Sequence, residues 1–92
     1  RGIGGATADA VGRRLVRLSK NAQVLIVTHS PQVAAPGDEH FQVVKSINSQ
    51  NTLTAVTKLQ GDAKIEEIAR MISGDKITPA AINAAATLVD GR

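Results

Sequence analysis

Six consecutive residues constrain this chain more than any other feature. Gln23 to Thr28, QVLIVT, is a continuous apolar run rich in β-branched residues. A strand with one wet face alternates apolar and polar residues, whereas an unbroken run suits a strand buried on both faces of a parallel sheet flanked by helices. The preceding residues read as a helix from Thr7, as cap, to about Lys20, with Asp9 in its first turn and Asn21 as terminator. Val11, Leu15 and Leu18 are its expected buried stripe. A helix feeding a buried strand is half of a βαβ unit, and the first strand of that unit is missing from the 92 residues. The expected class is therefore α/β with a cut sheet. Apolar surface should be exposed near Val24 to Val27 and along the first helix.

After His29-Ser30-Pro31 the chain allows at most a short helical turn before Pro36-Gly37. His40 to Ile47 alternates, with Phe41, Val43 and Ile47 on one face. Thr52 to Leu59 alternates again, with Leu53, Ala55 and Leu59 on one face. Asn48-Ser49-Gln50-Asn51 between them predicts an antiparallel hairpin. Asp62 opens a helix in which Ile65, Ile68, Ala69 and Ile72 share a face, stopped by Gly74. Thr78-Pro79 starts a last helix, running to about Val89 with Ile82, Ala85 and Val89 inward. No internal repeat, linker or low-complexity tract interrupts this order, and residues 1–92 form one region.

Composition closes several routes. The 42% apolar fraction includes 14 Ala, leaving 23 Val, Ile and Leu with Met71 and Phe41 to build a core. A single Phe and no Trp or Tyr argue against modules that stack bases on aromatic rings. The absence of Cys removes disulfide frameworks, thiolate zinc sites and cysteine nucleophiles. The longest apolar run, Val24 to Val27, is far short of a membrane span, so no membrane partner is expected. With Arg1 first and no charged-then-apolar leader, the chain reads as an excised or processed piece without a signal peptide. The net charge of +3 is unevenly placed. Residues 1–22 hold Arg1, Arg13, Arg14, Arg17 and Lys20 against Asp9 alone. Arg13, Arg17 and Lys20 share a helical face, which reads either as a polyanion contact or, more simply, as the solvated side of an amphipathic helix.

Candidate chemistry is sparse. Gly2-Ile3-Gly4-Gly5 before a helix invites a phosphate-loop reading, but the helix is entered by Ala6-Thr7-Ala8 and not by the Gly-Lys-Ser/Thr of a P-loop. A dinucleotide fingerprint fails as well, at Thr7 and at Thr28-His29. His40, beside Asp38 and Glu39, reads as part of an exposed polar turn. A metal site from His29, His40, Asp38 and Glu39 follows no zinc spacing, and no metal ligands are assigned. Glu66 and Glu67 point in different directions, with Arg70 a routine partner for Glu66. His29 stands apart, because it follows the C-terminal end of the buried strand, where open α/β sheets place ligand groups.

The block Val24 to Ala34, VLIVTHSPQVA, closely resembles the switch-histidine segment of ABC-type ATPase heads, the P-loop heads shared with the structural maintenance of chromosomes family. Its Thr-His-x-Pro-Gln-Val-Ala form is similar to that of the RecN family of bacterial DNA repair proteins. Arg1 to Ala8, RGIGGATA, resembles the stretch directly after that family's Walker B Asp-Glu. Lys64 to Gly74, KIEEIARMISG, followed by Thr78 and an Ala-rich helix, is similar to the family's C-terminal end. The histidine segment is widely shared; the three blocks together are specific and span essentially the whole chain.

The resemblance implies the C-terminal fragment of a P-loop, ABC-type ATPase head. Residues 1–6 would be D-loop-like, 23–36 the switch-histidine segment, 40–59 the hairpin and 62–89 the C-terminal helices. It implies that His29 is the catalytic switch histidine of the complete head. Gly2, Gly4 and Gly5 would contribute to a D-loop crossing a dimer of heads. Many such D-loops carry an Asp where Gly4 stands, so any contact there falls to backbone amides. ATP and Mg²⁺ are implied for the intact protein and none for the fragment alone, because Walker A, the signature motif and Walker B lie outside these residues. Implied partners are the remainder of the head, a second head and DNA, in a bacterial cytoplasmic, nucleoid-associated setting. The rival readings are a small DNA- or protein-binding module using Arg13, Arg14, Arg17 and Lys20, and a fragment of another chromosome-maintenance ATPase.

Overall fold

A computed structural model of the chain describes residues 5–91. The elements run α1 (Gly5–Ser19), α2 (Pro31–Ala34), β1 (His40–Ile47), β2 (Thr52–Leu59), α3 (Asp62–Ser73) and α4 (Pro79–Asp90). The mixed composition of helices and an antiparallel hairpin fits an α/β fragment.

The expected central strand does not form. Residues 23–28 belong to no helix or strand, and Leu25 and Val27 are 86% and 96% exposed. A strand exists by pairing, and the only sheet among the described residues is β1–β2. The exposed apolar surface expected around this run is present. So is that of α1, where Val11 and Leu18 face outward.

α1 departs from expectation at both its start and its buried face. The helix has already begun at Gly5, so Thr7 lies inside it and Asp9 falls beyond the first turn. Asp9 instead accepts from Arg13 Nη1 at 2.6 Å, one turn on. The buried residues are Ala8 and Gly12, not Val11, Leu15 and Leu18. The reason is the closeness of α2: a side chain at residue 12 has no room there.

The core lies between α2, α3 and α4. Ala35, Ile68, Ala69, Ala81 and Ala85 are buried, with Ile65, Met71, Ile82, Leu88 and Val89 packed around them. Ile68 is the sole large side chain fully enclosed among the described residues. Alanines on α4 let it approach α3 closely. Thr78 caps α4 by accepting the Ala81 N–H at 3.1 Å, with Pro79 pre-set at the first helical position. Gly74 ends α3 at a φ of 81°, where its N–H reaches the Arg70 carbonyl at 2.8 Å.

The hairpin spans the expected residues, in the register His40 opposite Leu59 through Ile47 opposite Thr52. Its four-residue turn is closed by Asn48. Asn48 Oδ1 accepts the N–H groups of Gln50 and Asn51 at 2.9 and 2.7 Å, while the Asn48 N–H donates to the Asn51 carbonyl. Residues opposite one another share a face, so this register places Phe41, Val43 and Ile47 on one side and Leu53, Ala55 and Leu59 on the other.

Candidate functional site

His29 sits between the apolar segment and α2, and its position follows from its neighbours. Thr28 Oγ1 accepts the Ser30 N–H at 2.9 Å, closing a tight turn around the histidine. Ser30 is the N-cap of α2 with extended backbone (φ −90°, ψ 120°), and Pro31 follows at the first helical position. The Ser30 carbonyl accepts from the N–H groups of Val33 and Ala34 at 3.2 and 3.0 Å. Ser30 Oγ donates to Gln32 Oε1 at 3.2 Å. The backbone on both sides of His29 is thus tied down while its imidazole is exposed to solvent. An accessible imidazole can donate at one nitrogen and accept at the other, which suits it to hold a polar or anionic group.

Of the D-loop-like glycines, Gly2 and Gly4 lie outside the described residues. Gly5, the first residue of α1, lies beside this segment: a Cβ there would stand 3.5 Å from Gln32 Nε2. Two parts of the sequence 27 positions apart are thereby brought together at Gln32, three residues past His29.

His40 belongs elsewhere. It is the first residue of β1, where the alternation of 40–47 places it, and it is half-buried rather than part of an exposed polar turn. Its pKa is lowered, chiefly by burial and next by Lys64, against an upward pull from Glu67. Glu67 also corrects the expected helix pairing. Arg70 donates to both oxygens of Glu67, each at 2.7 Å, and not to Glu66. Gln42 Nε2 donates to Glu67 Oε1 at 3.0 Å. The three side chains border an open cleft of about 290 Å³ with Leu59, Ala63 and Ile77. The pKa of Glu67 is lowered, first by its hydrogen bonds from Arg70, despite the opposing effect of burial. This cluster was invisible in the sequence because β1 and α3 meet only after the hairpin has turned back. The alternation of β1 places Gln42 on the same face as His40, and that was the one available hint.

The basic residues of α1 remain on the surface. Arg14 and Arg17 line an open groove of about 430 Å³ with Leu18, Asn21 and Ala22, and Arg13 is engaged by Asp9. Among the described residues no group of three or more His, Asp or Glu side chains is placed to hold a metal ion. No helix of the described residues is long and apolar enough to cross a membrane.

No protein-family model matches the chain. It is similar, however, to proteins named DNA repair protein RecN from several bacteria. That of Deinococcus radiodurans is 46% identical over 90 residues, which is 98% of this chain. Those of Xylella fastidiosa and Rickettsia felis are 48% and 46% identical over 88 residues, 96% of this chain. The chain spans only 16% of the length of each of these relatives. With this identity across nearly all of its residues, the chain belongs to the RecN family of DNA repair proteins and corresponds to a C-terminal part of their sequence.

Proposed function

We propose that these residues are the part of an ATP-hydrolysing RecN head that supplies the switch histidine, His29, and part of a D-loop, from Gly2, Gly4 and Gly5. One observation carries the reading. An exposed histidine stands at the carboxyl end of an unpaired apolar segment, its backbone fixed by the Thr28–Ser30 turn, in a chain of which 98% aligns with a RecN relative. In an open α/β sheet that end of a strand is where ligands are met.

ATP with Mg²⁺ would supply the transferable phosphoryl group, and the lysine and acids that hold them are expected outside these 92 residues. The role of this chain is positional. His29 donates toward a phosphate oxygen and orients a water molecule from its other ring nitrogen, while the Thr28–Ser30 turn and α2 fix the backbone that carries the ring. Phosphoryl transfer depends mainly on such placement and on electrostatics. DNA and a second head are partners of the whole protein in this reading.

The test uses the full-length protein carrying this segment. His29→Ala should slow ATP hydrolysis far more than it weakens ATP-driven association of heads, and equal loss of both overturns the assignment. The 92-residue chain alone should neither hydrolyse ATP nor bind it tightly; a submicromolar affinity by calorimetry would contradict this.

A further inference from the structure

Gly12 is the point at which α1 touches the segment that carries His29. A Cβ on Gly12 would lie 2.7 Å from the Gln32 carbonyl oxygen, 3.4 Å from Pro36 Cγ and 3.5 Å from Val33 Cα. The first distance is below any sustainable carbon–oxygen contact, and the atom it meets is backbone, so even alanine forces the two helices apart. The carbonyl has a reason to stand there. Its ordinary helical donor would be the N–H four residues on, and that residue is Pro36, which has none. The hydrogen that occupies the Cβ direction on Gly12 leaves room for that oxygen, where a methyl group would not.

The Gln32 side chain also lies over the start of α1, where a Cβ on Gly5 would stand 3.5 Å from its Nε2, and its Oε1 accepts from Ser30 Oγ. Ser30 in turn closes the Thr28 turn around His29. Gln32 therefore lies beside both the first residue and the middle of α1 and is hydrogen-bonded to Ser30, the residue after the histidine. The hydropathy pattern of α1 gives Gly12 no role, and glycine is disfavoured inside a helix relative to alanine. The contact with Gln32 is what offsets that cost.

We infer that Gly12 is a positioning residue for His29: by seating α2 against α1 it holds the histidine in fixed relation to the start of α1 at Gly5. The inference rests on the switch role proposed above and adds that this role requires the helix contact.

The experiment measures ATP turnover of the full-length protein as wild type, Gly12→Ala, His29→Ala and the double variant. Gly12→Ala should lower kcat by roughly tenfold or more, as expected for displacement of a positioned group, with KM for ATP changed less than about twofold. The double variant should be no slower than His29→Ala alone, because both changes remove one contribution. An unchanged kcat in Gly12→Ala alongside a slow His29→Ala overturns this inference alone. So do multiplicative losses in the double variant, or a kcat loss matched by a rise in KM. A fully active His29→Ala overturns the switch role itself, and this inference with it. Should Gly12→Ala fail to fold, Pro36→Ala serves instead. It removes the neighbouring ring carbon and restores an N–H that draws the Gln32 carbonyl away from α1. It should lower kcat in the same way, and wild-type turnover would overturn the inference.

Discussion

Gln42 on β1 and Glu67 on α3 are joined by a 3.0 Å hydrogen bond between residues 25 positions apart. The Glu67 carboxylate is also gripped twice by Arg70 and is only 11% exposed, which separates it from an ordinary surface ion pair. This polar join ties the hairpin to the helical layer where little apolar contact does so. Glu67→Ala, which strands the Gln42 amide in the half-buried cleft, should cost about 1 kcal/mol, read from urea denaturation. Glu66→Ala on the same helix should cost less than half as much.

Acid should loosen the same region in two steps. Burial and Lys64 lower the pKa of His40, so the folded chain binds a proton there less readily than the unfolded one. Stability from this site is complete above the ordinary value of 6.5 and falls as pH drops below it toward the lowered folded value. Glu67 is also lowered, so its contribution is present above 4.5 and lost as pH falls through its folded pKa. Denaturation midpoints followed from neutral to acid pH should decline in both windows. His40→Gln should abolish the upper decline and leave the lower one.

The cap of α4 offers a local test. Thr78→Ala removes the acceptor for the Ala81 N–H and should destabilise the chain by about 1 kcal/mol, whereas Thr78→Ser should retain most of that. Equal losses in the two variants would show that the methyl group matters and the hydroxyl does not.

Leu25 and Val27 provide the opposite case. Because they are almost wholly exposed, replacing both by Lys should change the stability of the 92-residue chain by less than about 0.5 kcal/mol and reduce its self-association in sedimentation. In the full-length protein the same pair should disrupt folding, if the missing strands cover them.

The parts legible in the sequence are those whose signals are local. The hairpin follows from two alternating runs and the Asn48 turn, and the starts and stops of α3 and α4 follow from Thr78-Pro79 and Gly74. Apart from the start of α1, which lies at Gly5 and not at Thr7, the misreadings involve a partner. Hydropathy ranks Val11, Leu15 and Leu18 above Ala8 and Gly12, yet a close helix contact selects for smallness. Residues 23–28 have every property of a strand except neighbours to pair with. His40 meets Lys64 and Glu67 on a surface that only the returned hairpin creates, whereas Arg70 chose between two neighbours on its own helix and took Glu67 at three residues rather than Glu66 at four. His29 was recognisable as a candidate from its position after the apolar run. The turn that fixes it and its link through Gln32 to α1 were not, because both depend on side-chain contacts.

The hairpin register has one more consequence. Sliding β2 by a single residue would bring Phe41, Val43, Ile47, Leu53, Ala55 and Leu59 onto one side, giving an ordinary ribbon with a greasy and a wet surface. The lock at Asn48 forbids that slide and keeps the two stripes back to back. Asn48 thereby keeps apolar side chains on both faces of the hairpin, Phe41, Val43, Ile47 and Val56 on one and Val44, Leu53, Ala55 and Leu59 on the other, so that neither face is a purely wet one.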